Sequence, residues 1–425
     1  MARYAVIGAG AAGISAAREL QMGGHEVVVF EARDRPGGRA WTDHTIALHG
    51  VELGAEFIHG ENVSTWDWVR EFGAPTTGEA HRYEMWFHLD GGLVDAPTAR
   101  RLFGTDPLFA LQRLARRWQS AGRPETTLDH VFELWPELSS EPLTPEQRAL
   151  IEGYIAELAA SDITALGTHR YDTPVDRGLE HFRLLRGYTS LMGQAAAALD
   201  IRYRAPVRRV RWDETAVELA TDAGSARFDA AVVTLPLGVL RARTVEFDPP
   251  LPAEKRNAIE RINAGSISKV ILKFDEALWP PGHTFLWSSR SMQLWWRPGQ
   301  GQANEAPVIT AFFGGSAAKS LEQATLAEAT EHAVAQLSDM LGTSLRGKLV
   351  DSRYKAWGAD ECTMMGYSSL PPGGRGLREA LAAPAGALHF AGEAASLTHP
   401  ATVDGAIDSG RAAASELLAL AGTGR

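Results

Sequence analysis

The sequence has only one cysteine in 425 residues, so no disulfide can form within the chain. A single thiol is typical of proteins from reducing compartments, and we predict a cytoplasmic location. No uninterrupted apolar stretch is long enough to cross a bilayer. The first residues lead directly into a predicted strand, without a basic and apolar leader. We therefore expect neither secretion nor a membrane partner.

Basic residues are also fewer than acidic ones. The chain has 42 lysines and arginines against 52 acidic residues, a formal net charge of −10. This balance argues against non-specific binding to nucleic acid, so no nucleic-acid partner is predicted. The histidines and acids lack the spacing of metal ligands, and no metal site is predicted. The length favours two domains, and the sequence leaves monomer and homodimer both open.

A βαβ unit is predicted at the start of the chain. "YAVIG" at 4–8 is a short buried strand, a helix follows, and "EVVVFEA" is a second buried strand. Between strand and helix, "GAGAAG" places Gly8, Gly10 and Gly13 in G-x-G-x-x-G spacing, which allows a tight turn, close approach to a pyrophosphate, and helix–strand packing. Glu31 ends the second strand, where its carboxylate can accept ribose hydroxyls. The unit is therefore predicted to bind a dinucleotide.

Two further stretches combine glycine with functional side chains. In "RPGGRAWT", Gly38 lets the main chain pass close under a bound group, and Arg39 is predicted to meet phosphate. In "GVELGAEFIHG", Gly54 and Ala55 are as small as expected where backbone contacts a flat ring. Both stretches extend the predicted dinucleotide site.

The segment "SISKVILKF" at 266–274 alternates like a β-strand and carries two lysines, Lys269 and Lys273, on one face. A face with two lysines is usually solvated, with the aliphatic stems lying over the sheet. The local pattern alone therefore favours a surface position for both.

Eight ordered motifs resemble those of the flavin-containing amine oxidases, a family that includes monoamine oxidases, polyamine oxidases and lysine-specific histone demethylases. The resemblance covers nearly the whole chain and implies FAD as the cofactor. The motifs are "GAGAAG" with Glu31, "RPGGRAWT", "GAEFIHG", "RGYTSL", "TLPLGVL", "SKVILKF", "WGADECTMMGYSS" and "HFAGEAASLTHPATVDGA".

The resemblance reverses the local interpretation of the lysine strand. It implies that Lys269 lies buried against the flavin and reaches N5 through a water, while Lys273 stays at the surface. Lys269 and Tyr367 are the predicted catalytic residues. A helix starting near Thr402 is expected to aim its amides at the flavin pyrimidine edge. The implied cofactor-binding residues beyond the first glycines and Glu31 are Arg33, Gly38, Arg39, Gly54, Ala55, Val207, Trp357, Gly392, Glu393, Thr402 and Val403.

The sequence also departs from the monoamine oxidases. Those enzymes attach their flavin through a cysteine, and the matching residue here is Gly366, so non-covalent FAD is predicted. They clamp the amine between two tyrosines, of which Tyr367 keeps one while Thr402 stands at the second position. Discrimination by ring contact should be weaker, and bulkier amines should fit.

Further substrate contacts are implied by polyamine oxidases. His59 matches a histidine that faces the substrate in the animal enzymes, and Glu157 a carboxylate that plant enzymes direct at the substrate cation. A loop histidine and a solvated helix glutamate are the respective alternatives. Trp296 is a candidate pocket wall. With Tyr367 and Thr402, these residues form the predicted substrate-binding set.

The implied fold is α/β, with a Rossmann-like FAD-binding domain built on a parallel sheet and an inserted α+β substrate-binding domain. The FAD-binding domain is predicted at 1–80, 182–250 and 376–425. The substrate-binding domain is predicted at 81–181 and 251–375.

The implied function is oxidation of a primary or secondary amine, polyamines included, to an imine and then an aldehyde. O2 would reoxidise the flavin and yield H2O2, so the predicted partners are a small amine and O2. The alternative is an L-amino-acid oxidase of the same fold, which needs an arginine to hold the substrate carboxylate. The length argues against a histone demethylase, and the flavin motifs argue against a non-catalytic binder related to Rab GDP-dissociation inhibitors.

Overall fold

A five-stranded parallel sheet organises one side of the molecule. The computed structural model describes residues 1–77, 84–89, 92–171, 181–279, 283–289 and 293–422. All neighbouring strands of this sheet run parallel. Their spatial order is Leu388–Phe390, Ala230–Val233, Arg3–Ile7, Glu26–Phe30 and Asp200–Arg202.

Residues 4–7 of the central strand Arg3–Ile7 are apolar and buried, as expected for a parallel sheet that is covered by helices. Helices Ala11–Met22 and Val403–Gly422 pack against each other on the sheet. Glycine makes this approach possible, since a Cβ added at Gly410 would lie 2.2 Å from the Ala12 carbonyl oxygen. The first helix also lies close to the end of strand Arg3–Ile7, where a Cβ added at Gly13 would lie 1.9 Å from the Gly8 carbonyl oxygen. The βαβ unit predicted from the sequence is therefore present.

A seven-stranded sheet forms the second layer of the molecule. Its strands are antiparallel except for one parallel pair, Phe285–Ser288 with Met85–Leu89. The order is Leu349–Ala356, Ile267–Phe274, Val308–Gly314, Gln293–Trp296, Phe285–Ser288, Met85–Leu89 and Gly92–Asp95.

The lysine-bearing strand Ile267–Phe274 lies inside this sheet and is buried on both faces. Its Lys269 side chain is 2% exposed. Lys273 is half-buried and donates from Nζ to the Ile46 carbonyl at 2.9 Å. The solvated face expected from the local pattern is therefore wrong, because residues 46–53 cover it. Lys273 is likewise not the surface lysine implied by the resemblance.

Helices cover the outer end of the seven-stranded sheet. Three of them begin at a side-chain cap followed directly or closely by proline, the usual start of a helix. The caps are Asp95, Asp106 and Thr144, the last with a capping box to Gln147. These helices are Ala96–Phe103, Pro107–Ser120 and Pro145–Ala159, with the 3₁₀ segment Leu128–Glu137 packed between them.

The remaining elements are smaller sheets, helices and 3₁₀ turns. A four-stranded sheet contains Gly224–Phe228, Val217–Thr221, Val207–Trp212 and Glu246–Asp248. Two-stranded sheets pair Thr42–Asp43 with Val51–Glu52, Phe57–His59 with His181–Arg183, and Asn263–Ala264 with Ser368–Ser369. The other α-helices are Thr65–Phe72, Gly187–Ala196, Leu237–Ala242, Ala253–Arg261, Gly315–Leu321, Leu326–Leu341 and Leu377–Ala382, and short 3₁₀ turns are Ile163–Ala165, Thr168–Tyr171, Arg346–Lys348 and Glu393–Ala395. In the described part of the chain, no helix is both long and apolar enough to cross a membrane.

The fold is thus α/β, with a parallel sheet and an inserted α+β unit, as predicted. All parallel-sheet strands come from 1–80, 182–250 and 376–425. Helix Ala253–Arg261, however, packs against Leu377–Ala382 in the core of the parallel sheet. The predicted boundaries at 80/81 and 181/182 lie within or next to residues outside the described ranges. The division into two domains stays a prediction.

Candidate active site

A cavity of about 1870 Å³ lies between the parallel sheet and the seven-stranded sheet. The glycine-rich turn and Glu31 line one part of it, and aromatic side chains of the seven-stranded sheet line another. Sites for one small ligand usually span roughly 300–1,000 Å³. The cavity therefore has room for a dinucleotide and a second ligand together.

The glycine-rich turn has the shape that a pyrophosphate needs. Gly8 adopts a φ of +104°, a conformation that side chains disfavour. An added Cβ at Gly10 would meet no atom within 4 Å, so this position opens into the cavity. Helix Ala11–Met22 starts at the next residue and points its free amides at the same space. The turn fits a bound dinucleotide.

Glu31 is fixed in place by backbone amides. It is 6% exposed, and its carboxylate accepts from the Ala9 amide at 2.7 Å and the Arg33 amide at 2.8 Å. Each carboxylate oxygen has a second lone pair, which leaves acceptor capacity for ribose hydroxyls. This geometry suits the predicted role of Glu31.

Arg33 lines the cavity but is held by a carboxylate that the sequence did not single out. Its guanidinium pairs with Asp360 and donates to Thr363 Oγ1 at 3.0 Å. Asp360 also pairs with Lys355. Burial alone would raise the pKa of Asp360, but the two cations lower it to about 2. The acid within "WGADEC" was the available signal for this ion cluster.

The partly exposed Arg39 and the buried Glu393 form an ion pair at the cavity wall. The Arg39 guanidinium lies 2.9 Å from Glu393 Oε1 and 2.5 Å from the Gly366 carbonyl oxygen. Glu393 also accepts from Ser368 Oγ at 2.7 Å and the Ala401 amide at 3.1 Å. Burial would raise the pKa of Glu393, but the Arg39 charge and these donors lower it. Contact between Arg39 and phosphate stays a prediction.

The start of helix Val403–Gly422 borders the cavity as expected. Thr402 donates from Oγ1 to the His399 carbonyl at 2.8 Å and accepts from the Gly405 amide at 3.0 Å. Threonine at this position therefore caps the helix, a role that an aromatic residue could not fill. Gly392, with a φ of +138° and nothing near an added Cβ, and Val207 also line the cavity.

Gly54 is required to be small by the protein's own backbone, whether or not a flat ring also lies against it. An added Cβ would lie 1.7 Å from the Arg39 carbonyl oxygen, so the protein's own backbone requires glycine here. The Ala55 amide donates to the same carbonyl at 3.1 Å. Trp357 packs beside them and donates from Nε1 to the Leu53 carbonyl at 2.9 Å. Gly54, Ala55 and Trp357 all line the cavity.

Lys269 projects from its strand to the cavity wall and is held by two acceptors. Its Nζ lies 3.1 Å from Glu56 Oε2 and 3.0 Å from the Glu52 carbonyl oxygen. The ammonium also lies 5.0 Å from the centre of the Trp296 ring. This buried position agrees with the implication of the family resemblance.

Glu56 is the partner of Lys269 that the sequence analysis missed. Its Oε1 accepts from Trp296 Nε1 at 2.8 Å and from Arg183 Nε at 3.1 Å. Lys269, Glu56 and Arg183 are each less than a tenth exposed, and we call them the Lys269 cluster. Two cations share one carboxylate here, which lowers the cost of burying charge. The sequence signal for Glu56 was its position as a lone acid inside the apolar run "GAEFIHG".

His59 and Tyr367 both line the cavity and are each oriented by a neighbour. His59 Nδ1 lies 3.1 Å from Nδ1 of His181, and the two rings meet edge to face. The Tyr367 hydroxyl donates to the main-chain carbonyl of Glu157. His181, across the strand pair from His59, was not identified from the sequence.

Glu157 is a buried acid in the same cavity. Its side chain is 2% exposed, and neither carboxyl oxygen has a hydrogen-bond partner among the described residues. Burial raises its pKa well above the usual range, and the Leu294 amide opposes this rise without meeting hydrogen-bonding geometry. The alternative of a solvated helix glutamate is therefore wrong for this side chain.

Aromatic rings form most of the wall around Glu157 and Lys269. Trp296 lines the cavity, whereas its neighbour Trp295 points into the core on the other face of the sheet. The aromatic residues that line this part are Phe57, Phe87, Tyr154, Phe285, Trp287, Trp296, Phe312, Trp357 and Tyr367.

These features agree with comparisons to known proteins. The family model described as flavin containing amine oxidoreductase matches residues 11–418. The chain belongs to this family. The predicted resemblance, the enzyme class and a flavin cofactor are thereby confirmed.

Named relatives of this oxidoreductase include plant enzymes. It is 30% identical to Polyamine oxidase 2 of Arabidopsis thaliana over 438 residues, which covers 97% of this chain and 87% of the relative. It is 28% identical to Lysine-specific histone demethylase 1 homolog 2 of Arabidopsis thaliana, with 98% of this chain but only 58% of the demethylase covered.

Solved structures show the same fold. Cyclohexylamine oxidase from Brevibacterium oxydans IH-35A superposes with a TM-score of 0.83 at 22% identity, covering 99% of both chains. Wild-type putrescine oxidase bound to putrescine gives a TM-score of 0.81 at 20% identity, covering 98% of this chain and 99% of that one. The likeness confirms the predicted α/β architecture.

Proposed function

We propose that this oxidoreductase binds FAD without a covalent link and oxidises a primary or secondary amine to an imine, which water converts to an aldehyde. O2 is the proposed electron acceptor and H2O2 the second product. One observation carries the proposal: the Lys269 cluster borders the same cavity that holds the open Gly10 turn and the unpartnered Glu157.

The cofactor contacts follow from the cavity wall. A bound FAD supplies the two-electron acceptor that amine oxidation needs, which no side chain can provide. Gly10 and the start of helix Ala11–Met22 would hold its pyrophosphate, and Glu31 its ribose. The start of helix Val403–Gly422 borders the cavity, and its positive end would stabilise negative charge on a flavin reduced beside it.

Two residues support a non-covalent link. An added Cβ at Gly366 would lie 2.5 Å from Ile267 Cγ1, so a tethering cysteine would not fit there without a shift. The chain's one thiol, Cys362, lies among Arg33, Asp360 and Glu31, and burial raises its pKa. A thiol that stays protonated is a poor nucleophile.

Acid denaturation should therefore release all of the flavin. We expect free FAD in the supernatant after acid precipitation of the yellow holoenzyme and a colourless pellet, measured by absorbance and chromatography. Flavin that stays with the precipitated polypeptide would contradict the non-covalent link.

Recognition of the amine follows from what surrounds Glu157. The carboxyl has no partner among the described residues, so a substrate cation would supply its missing hydrogen bond and stabilise its ionised form. The neighbouring rings offer faces for cation–π contact and for an apolar tail. The amine that reacts must itself be neutral, so the cation at Glu157 is a second charge on the substrate.

We predict that Glu157→Gln discriminates between diamines and monoamines. A lost charge-assisted hydrogen bond costs roughly 1.5–3 kcal/mol, so KM for a diamine should rise about tenfold to a hundredfold. KM for an apolar monoamine should change little. Steady-state kinetics with a diamine and a monoamine of matched length measure the difference. An equal change for both substrates would remove Glu157 from cation recognition.

The L-amino-acid oxidase alternative lacks its arginine in the described part of the chain. The arginines on the cavity wall are Arg33, Arg39, Arg100, Arg116, Arg208, Arg375 and Arg378. Arg33, Arg39 and Arg208 are paired with acids, and Arg100, Arg116 and Arg375 are exposed. The buried Arg378 donates to Ser368 Oγ at 2.8 Å and to the Ala394 carbonyl at 2.7 Å, on the Glu393 side of the cavity. None of these has a contact with Glu157, whose carboxyl offers a substrate carboxylate no cationic partner. The geometry therefore favours an amine without a carboxylate.

Anaerobic mixing tests the proposed function directly. The holoenzyme is mixed with a panel of monoamines, diamines and amino acids while flavin absorbance is followed. We expect bleaching by an amine and none by the matching amino acid. Bleaching by amino acids alone would overturn the proposal in favour of the alternative.

A further inference from the structure

A second, much smaller cavity lies behind the Lys269 cluster. Its volume is about 20 Å³, enough for one water molecule. Glu56 lines both this cavity and the large one, and so connects them. Glu52, Arg183 and His49 also line it, together with Gln302 near the surface. We call it the rear cavity.

Two buried polar atoms of the residues lining the rear cavity have no hydrogen-bond partner among the described residues. They are Nη2 of Arg183 and Nε2 of His49. His49 Nδ1 lies 2.8 Å from the Gly50 carbonyl and must donate to it, so in the neutral ring Nε2 is an acceptor. A donor and an acceptor beside carboxylates give a water the partners that buried waters require.

Glu52 stands apart from the other acids of this region. Burial raises its pKa to about 8, and the negative charge of Glu56 adds to the rise, against hydrogen bonds from the Tyr188 amide and the Thr42 hydroxyl. The charged groups that face it are Glu56, Lys269 and Arg183, with His49 across the rear cavity. Burial and the neighbouring Glu56 therefore favour the protonated form of Glu52 at neutral pH.

We propose that the rear cavity is a buried water site and that its water joins Glu52 and Glu56 into a proton store for Lys269. When Lys269 gives a proton toward the large cavity, the Glu52 proton crosses the water to Glu56 and moves on to the lysine amine. One O–H bond breaks, one N–H bond forms, and Glu52 remains a carboxylate until solvent returns a proton past His49. Glu52 acts through Lys269 and does not touch the substrate.

The proton-store role rests on the proposed function of Lys269, whereas the water site and the protonation of Glu52 do not. Infrared spectra therefore provide a readout independent of turnover. Because burial also favours a protonated Glu157, the spectra are recorded in a Glu157→Gln background. In that background we expect a protonated-carboxyl band at pH 7 that vanishes when Glu52→Gln is added and that is otherwise lost between pH 7 and 10. Glu416→Gln, at an exposed carboxylate paired with His389, should leave the band intact. A Glu52→Gln spectrum with the same band overturns the proposal.

Stability gives a second, independent measure of the proton on Glu52. The folded state holds this proton up to about pH 8, while the unfolded chain releases it near the ordinary value of 4.5. The native protein should therefore lose stability relative to Glu52→Gln as pH rises between these values. The ratio of their unfolding constants should rise about tenfold per pH unit and level off above pH 8. A constant ratio overturns the proposal.

Two further experiments test whether the rear cavity holds a water and whether flavin reoxidation depends on Glu52. A crystal structure of the holoenzyme should show a water bonded to Arg183 Nη2 and His49 Nε2, and a dry rear cavity overturns the proposal.

Reoxidation of the reduced enzyme by O2 should slow roughly tenfold to a hundredfold in Glu52→Gln and lose its dependence on pH near 8. Unchanged reoxidation overturns the proton store, even if amines still bleach the flavin as the proposed function requires.

Discussion

Lys269→Met should reoxidise with O2 about 10²- to 10⁴-fold more slowly than the native enzyme, the range typical of a lost proton-transfer group. Methionine keeps the length and apolar stem of lysine but cannot hold or move a proton. Amine-dependent bleaching under anaerobic conditions should change far less, because the flavin accepts those electrons. Stopped-flow absorbance measures the two half-reactions separately.

The control for this variant is Lys273→Met on the same strand face. Lys273 donates to the Ile46 carbonyl and does not line the cavity, so its loss should leave reoxidation unchanged. Because Glu56 keeps Arg183 and Trp296 as partners, Lys269→Met should still fold, and thermal unfolding of both variants checks this. Native-like reoxidation in Lys269→Met would remove the lysine from the chemistry.

Gly10→Val should yield a folded but colourless protein. An added Cβ at Gly10 meets no protein atom within 4 Å, and its φ of −75° suits any residue, so the fold should tolerate the change. The valine would instead fill the space in which the pyrophosphate is proposed to bind. We expect the Kd for FAD to rise at least about a hundredfold, equivalent to roughly 2.8 kcal/mol.

Gly193→Val is the matched control, since an added Cβ there also meets no atom within 4 Å and lies outside the cavity lining. It should bind FAD as the native protein does. Gly13→Ala, unlike the two valine variants, should destabilise the fold itself, because its Cβ would lie 1.9 Å from the Gly8 carbonyl oxygen. A yellow Gly10→Val protein with native affinity would place the pyrophosphate elsewhere.

The dinucleotide turn was readable from sequence because its physics is local. Gly8, Gly10, Gly13 and Glu31 fall within one βαβ unit, where spacing along the chain fixes spacing in space. The fold class followed from the same pattern and the ordered motifs. The helix start near Thr402 was implied by the family resemblance, and the Thr402 cap seen in the structure gives it a local physical reason.

The surroundings of Lys269 were not readable in this way. Glu56 contacts Lys269 from 213 residues away, and Arg183 in turn contacts Glu56. Alternation along one strand does not reveal what covers its faces. The same limit explains the error at Lys273, whose acceptor Ile46 lies 227 residues away. Gly54 shows a related limit, because a small residue indicates a close neighbour without identifying it as ligand or backbone.

The order of strands in the parallel sheet has a consequence for biosynthesis. Strand Leu388–Phe390 forms one edge of that sheet, and helix Val403–Gly422 covers the helix of the glycine-rich turn. Translation delivers these elements nearly four hundred residues after the strand Arg3–Ile7 that they help to enclose. A nascent chain in which they have not yet been made therefore lacks a complete nucleotide site, and capture of the coenzyme must follow their synthesis.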